Sequence, residues 1–241
     1  MYVRLDLTDS NLEGSIQPHL GNLSSLQVLS LSANRLKGDV PASLGQSKRT
    51  LSTVDNQFQG TLPHNLGLNQ PNIENFLVYR NQFGGRIPLS ISNASKLSRF
   101  DISFNNFFGC VPDSIFGNLK KLVRLGLIQT LGSGEANDLK FITSLTNCSI
   151  LRFLFLAGSN FGGELPDSVG NLSTRIEILS IEDNQISGNI RPGIGNLMNR
   201  HSNTNESAAA TTATAATTTE LAAAAWRRKW VLEKFRECEE K

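Results

Sequence analysis

The sequence predicts an α/β solenoid: about eight stacked units that share a parallel β-sheet on a concave face and return through short 3-10 or irregular segments. Three observations carry this. Apolar residues recur at fixed offsets with a period near 24 residues, an Asn follows at the ninth position, and a Gly and then a Pro close the pattern in Gly-x-Ile-Pro or a near copy. Units begin at Tyr2, Leu26, Lys48, Ile73, Leu97, Leu122, Leu151 and Ile176, with spacings of 24, 22, 25, 24, 25, 29 and 25. Self-similarity at a nearly fixed period is the signature of a repeat architecture in which each unit contacts only its neighbours.

Each unit opens L-x-x-L-x-L, whose end alternates with period two, as in Leu29 and Leu31 or Leu125 and Leu127. Such alternation turns two side chains inward from a short strand. The ninth-position Asn (Asn34, Asn56, Asn81, Asn105, Asn184) comes where the chain bends inward and leaves backbone groups without strand partners. A stacked Asn ladder is expected to satisfy them. Gly at the thirteenth position (Gly14, Gly38, Gly60, Gly85, Gly109, Gly163, Gly188) and Pro three residues on (Pro41, Pro63, Pro88, Pro112, Pro166) set a turn and forbid a long regular helix. The return segment carries Leu44, Ile91, Ile115, Val169 or Ile194. One unit cannot bury this apolar wedge alone, so the core exists only in the stack. Phe58, Phe76, Phe83, Phe100, Phe107 and Phe161 fall on inward positions and are expected in that core.

The pattern breaks at defined places. Repeat three is two residues short and puts Lys48 and Thr53 where Leu belongs. A lost buried Leu costs on the order of 2–5 kcal/mol when a cavity results, so this unit is the expected soft point. Repeat six has Thr130 at the ladder position and a longer loop, 132–140, in place of Gly-x-Ile-Pro; repeats one and seven carry Ser10 and Ser159 on the ladder. A hydroxyl replaces only part of the bonding of an Asn, and an unmet buried group costs roughly 1–3 kcal/mol. Repeat eight has Arg191 at the Pro position, with Pro192 displaced. The expected organisation is a solenoid over 2–197, a Ser/Thr/Ala-rich linker over 198–219 with too little apolar surface to order itself, and a helical tail over 220–241. In that tail Trp226, Trp230, Val231, Phe235 and Cys238 fall at helical spacing.

The side chains between the buried strand positions face the concave side. The fifth-position column reads Asp6, Ser30, Ser52, Leu77, Asp101, Gly126, Phe155, Ser180, and the seventh Thr8, Ser32, Val54, Tyr79, Ser103, Ile128, Ala157, Glu182. The eighth reads Asp9, Ala33, Asp55, Arg80, Phe104, Gln129, Gly158, Asp183. Small polar residues dominate both ends, whereas Leu77, Tyr79, Phe104, Ile128 and Phe155 gather in repeats four to seven beside Arg80 and Arg99. Apolar residues exposed on a predicted solvent face mark a contact surface, so these seven are the candidate ligand-binding residues. Eight strands about 4.8 Å apart give a face of about 34 Å, long enough for roughly ten residues of extended peptide.

Chemistry of other kinds finds little support. The 241 residues carry a net charge of +2, which selects no nucleic-acid partner. The three cysteines cannot form a dense disulfide framework, and Cys148 reads as a buried apolar surrogate. No metal-ligand spacing, cofactor motif, phosphate loop, zinc-protease helix, nucleophile elbow or kinase signature occurs, so an enzyme is not expected.

The repeat is similar to the plant-type leucine-rich repeats of receptor-like kinase ectodomains over residues 2–197, and Gly-x-Ile-Pro is the mark of the plant class. Three stretches, 134–141 leading into Ser144, Asn147 and Cys148, 160–166 and 184–188, resemble the immune receptor kinases that sense bacterial proteins, especially their large cereal branch. The resemblance implies a horseshoe, a peptide or protein ligand, room for a co-receptor, and a place on the extracellular side of the plasma membrane. A Cys-stapled cap, a membrane span and a kinase would belong to the parent receptor, and with Met1 leading straight into the first strand the chain reads as a fragment of such an ectodomain. Membrane attachment would come only through those other parts. Sequons at Asn22, Asn93, Asn147, Asn171 and Asn205 would then carry glycans; the first four share one place in the return segment, so sugars would leave the concave sheet open. Two other readings stand beside this one. One is a secreted inhibitor of a microbial cell-wall-degrading enzyme, similar to polygalacturonase-inhibiting proteins; the other is a non-signalling remnant or decoy.

Overall fold

The computed structural model describes residues 3–45, 48–189 and 192–198. Arg191, the Asn205 sequon and the segments read as linker and tail, from residue 199 on, lie outside the described residues.

Eight parallel strands form one sheet in strict chain order: Val3–Asp6, Leu26–Ser30, Thr50–Ser52, Asn75–Leu77, Arg99–Asp101, Arg124–Gly126, Phe153–Phe155 and Ile178–Ser180. The fourth-position column pairs in register throughout, Leu29 with Leu51, Leu51 with Phe76, Phe76 with Phe100, Phe100 with Leu125 and Leu125 with Leu154. Because side chains alternate along a strand, this register puts every fourth- and sixth-position residue on the same inner face. A single apolar core runs the length of the stack behind the sheet and includes all six predicted phenylalanines and Cys148. Phe58, Phe83 and Phe107 stack at ring separations of 6.3 and 6.5 Å, a spine that follows the repeat.

The ladder forms as the sequence requires. Asn81 donates through Nδ2 to the carbonyls of Thr53, Val78 and Tyr79 and accepts from the Phe58 amide. Asn105 repeats this one unit on with Val78, Ile102, Ser103 and the Phe83 amide. Ser159 manages one such bond, to the Leu127 carbonyl, while Thr130 Oγ1 finds no partner among the described residues.

Return segments are 3-10 turns at Pro18–Asn22, Ala42–Gly45, Leu89–Asn93 and Asp167–Asn171, and single α-helical turns at Leu66–Asn69, Ile142–Leu145 and Ile194–Met198. A second set of strands, which the sequence pattern did not suggest, lies after the ladder. Arg35–Asp39 pairs with Glu13–Gly14 and Gln57–Gln59, Gly84–Gly85 with Asn106–Phe107, and Gly162–Glu164 with Gln185–Ser187. It is interrupted at repeat six by the 132–140 loop. That loop is built on Asp138, whose Oδ2 accepts from the amides of Ser133, Gly134, Glu135 and Gly162 and whose Oδ1 accepts from the Ser133 hydroxyl. Burial pushes the Asp138 carboxyl up, but these bonds to Ser133, Gly162 and Glu135 outweigh it and hold the pKa below its ordinary value.

Repeat three keeps its register despite its short sequence. Lys48 is fully buried, with its stem in the Leu position and its ammonium donating to the Leu23 carbonyl, and burial pushes its pKa down. The Thr53 side leaves a cavity of about 20 Å³ lined by Leu51, Thr53, Leu66, Gln70 and Phe76. Thr53 Oγ1 and Gln70 Oε1 are buried with no hydrogen-bond partner among the described residues.

Candidate functional site: the concave face

Position eight makes the concave face possible. Asp9, Ala33, Asp55, Arg80, Phe104, Gln129 and Asp183 all have φ between 47° and 55°, and Gly158 has 60°. Left-handed backbone is uncommon for non-glycine residues and carries strain for a side chain as bulky as Phe104. Every unit but the seventh, which has Gly158 there, accepts that strain at the same point, where the chain leaves the strand and turns toward the ladder position.

Repeats one to three carry a polar surface. The Thr8 hydroxyl bonds the Asp6 carboxylate and the Ser30 hydroxyl, and Ser32 bonds Ser30 and Ser52, so a chain of hydroxyls crosses three strands. Hydrogen bonds from Thr8 and Arg4 hold the Asp6 carboxyl down to about 2.

Repeats four to seven differ in kind. Tyr79, Ile128 and Phe155 form an apolar cluster separate from the main core, with Val54, Phe104, Phe153 and Ile178 packed against it. The residues expected to be exposed therefore shield one another. Tyr79 is 8% exposed and Ile128 and Phe155 2%, while Leu77, Arg80 and Phe104 are half-buried and Arg99 is exposed. The physical reason is side-chain length: neighbouring strands lie about 4.8 Å apart, so large side chains on adjacent repeats close over one another. Arg80 lies with its guanidinium carbon 5.8 Å from the Phe104 ring centre, and Arg152 lies 5.2 Å from Phe153.

Beneath this cluster is a charge pair that the sequence reading missed. Asp101 and Arg124 stand on adjacent strands, Asp101 fully buried and Arg124 5% exposed, with Nε 3.3 Å from Oδ2. Burial pushes the Asp101 carboxyl up by more than Arg124 and the hydrogen bonds from Ser103 and Arg124 lower it. Gly126 makes the space, since a Cβ there would lie 2.4 Å from the Asp101 carboxylate. Arg124 also lies under Phe155, 5.1 Å from the ring centre. The available signal was a Gly following an Asp in the fifth-position column, with an Arg two residues before that Gly. The four described sequon asparagines, Asn22, Asn93, Asn147 and Asn171, are all exposed in or just after return segments, away from this face.

The Leucine Rich Repeat family model matches residues 25–47, 150–172 and 175–197. A putative leucine-rich repeat receptor-like serine/threonine-protein kinase of Arabidopsis thaliana, At2g24130, is 32% identical over 254 aligned residues covering 82% of this chain. The chain belongs to the plant leucine-rich-repeat receptor family. A second relative, the receptor kinase-like protein Xa21 of Oryza sativa subsp. japonica, is 45% identical over 84 residues, 34% of the chain. The segment spans 26% of the Arabidopsis kinase and 8% of Xa21. Among solved structures, the ectodomain of the Arabidopsis receptor kinase HAESA in complex with an extended IDA peptide hormone ligand superposes with a TM-score of 0.61 at 26% identity. That match covers 75% of this chain and 33% of the HAESA chain. Among the described residues no helix is long and apolar enough to cross a membrane.

Proposed function

We propose that this chain is a ligand-recognition segment of a plant cell-surface immune receptor, binding a peptide or protein on the concave face of repeats four to seven. The observation that carries the reading is the Tyr79–Ile128–Phe155 cluster: a packed apolar group on the open side of the sheet, separate from the core. Its burial stabilises the stack, and its place on the open face also gives an interface a pre-shaped, partly desolvated anchor that loses little side-chain entropy on binding. The chain acts by binding rather than by catalysis. The immune assignment rests on the likeness of residues 134–148, 160–166 and 184–188 to receptors that sense bacterial proteins. Glycans on Asn22, Asn93, Asn147 and Asn171 of the secreted form would leave the concave side free.

The test selects binders from a random decapeptide display library against the full chain and maps them by hydrogen–deuterium exchange. Protection on residues 75–77, 99–101, 124–126 and 153–155, with binding weakened about tenfold or more in the Tyr79→Ala/Phe155→Ala double variant, is the expected result. Unchanged affinity in that variant, with its fold verified by circular dichroism, discards the cluster as the anchor. Inhibition of a fungal endopolygalacturonase by the secreted chain would move the function to the inhibitor reading.

A further inference from the structure

We infer that the centre of the concave face takes a short peptide stretch whose apolar side chains are bordered by carboxylates; the inference rests on the peptide- or protein-binding reading above. Length comes first. Repeats four to seven span three strand intervals of about 4.8 Å, roughly 14 Å, which is the reach of about four extended residues.

Charge then sets the composition. Along the strand direction the apolar cluster lies between two rails. On the entry side is Arg99, exposed and in register with Asn75 and Arg124 on the neighbouring strands. On the exit side is Arg80, held in the left-handed region over the edge of the cluster at Phe104. No ion pair with a carboxylate engages Arg80 or Arg99 among the described residues. The one carboxylate on this part of the face, Asp101, is fully buried against Gly126 and engaged by Arg124, so a ligand does not meet it. What a ligand meets is an apolar strip with positive borders, and a carboxylate gains most at Arg80, where the Phe104 ring excludes water from one side of the guanidinium.

The ends of the face work in the opposite sense. Asp9 and Asp55 lie on the concave positions of repeats one and three and Glu182 on that of repeat eight, while Asp6 is paired with Arg4. An acidic ligand is repelled from both ends and held in register at the centre, which is how like charges contribute specificity rather than affinity. An uncharged apolar peptide would gain nothing from this arrangement, and a basic one would be drawn to the ends.

The same decapeptide library decides it, panned in parallel on the full chain and on an Arg80→Glu/Arg99→Glu variant. Both arginines are outside the core, and circular dichroism verifies the fold of the variant. Binders footprinting on the central strands of the unaltered chain should carry Asp or Glu next to Leu, Ile, Phe or Trp. These should bind the reversed variant about tenfold or more weakly, and that variant should select Lys and Arg in their place. Central-strand binders without acidic preference, or recovered equally by both proteins, overturn the inference and leave peptide recognition standing. Binders that protect only other surfaces, or no binders at all, overturn both. Displacement of the peptides by an oligogalacturonide that ignores Tyr79→Ala/Phe155→Ala assigns the arginines to an acidic saccharide, which also overturns it.

Discussion

Asp138 shows what a single side chain does in a repeat that has lost its turn. Its carboxylate collects five donors from the start of the 132–140 loop and from repeat seven, and so does the work of the missing Gly-x-Ile-Pro. Asp138→Ala leaves the buried Gly162 amide and the amides of Ser133 and Glu135 without this acceptor and should destabilise the chain by about 1–3 kcal/mol at neutral pH, measured by urea unfolding. The sign of the pH effect follows from the lowered folded pKa. The contribution is complete above the unfolded value of about 3.9 and is lost as pH falls through the folded value, so the gap between wild type and variant should hold to about pH 4 and shrink below it. A variant gap that widened in acid would contradict the assignment. Thr53 is the reverse case, a buried hydroxyl without a partner beside a cavity of about 20 Å³. Thr53→Val keeps the shape and removes the desolvation cost, so it should raise stability by about 1 kcal/mol in a thermal melt. The Thr and the lost Leu were plain in the sequence; the orphaned Gln70 across the cavity was not, because it lies 17 residues further along the chain.

Within one element the decisive feature is how neighbouring strands share space. The strand Arg124–Gly126 ends in a glycine because the Asp101 carboxylate of the preceding strand occupies the volume its side chain would take. Gly126→Ala forces that carboxylate or its strand to move and should cost about 1–3 kcal/mol. It should also loosen the Arg124–Phe155 contact above, read as faster amide exchange in residues 124–128 and 153–157. Exchange unchanged from wild type would show the contact to be slack. Each strand and its ladder Asn were legible because period-two alternation and a fixed Asn report directly on backbone geometry. The second set of strands was not, since segments such as Glu13–Gly14 and Gly84–Gly85 are two residues long and their pairing comes from the stacking of whole units.

At the scale of the molecule, stability is a sum of units and their interfaces, so the ends are weakest. In repeat one Leu5, Leu7 and Leu12 are only partly buried, as are Leu179, Ile181 and Ile186 in repeat eight, while repeats five to seven bury their equivalents almost completely. Native-state hydrogen exchange should therefore proceed from both ends inward, with residues 99–127 opening last. Uniform exchange across all eight repeats would mean the stack unfolds as one cooperative body. By itself the sequence determined the repeat, the inner columns, the ladder and the concave placement of the seven candidate residues, because each depends on periodicity within a chain whose register is fixed. Only the tertiary structure decided that Tyr79, Ile128 and Phe155 close over one another, that Asp101 lies buried on Arg124, and that position eight is left-handed in every unit. The first two depend on contacts between side chains of different repeats, set by the spacing of about 4.8 Å between neighbouring strands, and the third is a backbone angle that residues as unlike as Asp, Ala, Arg and Phe do not report.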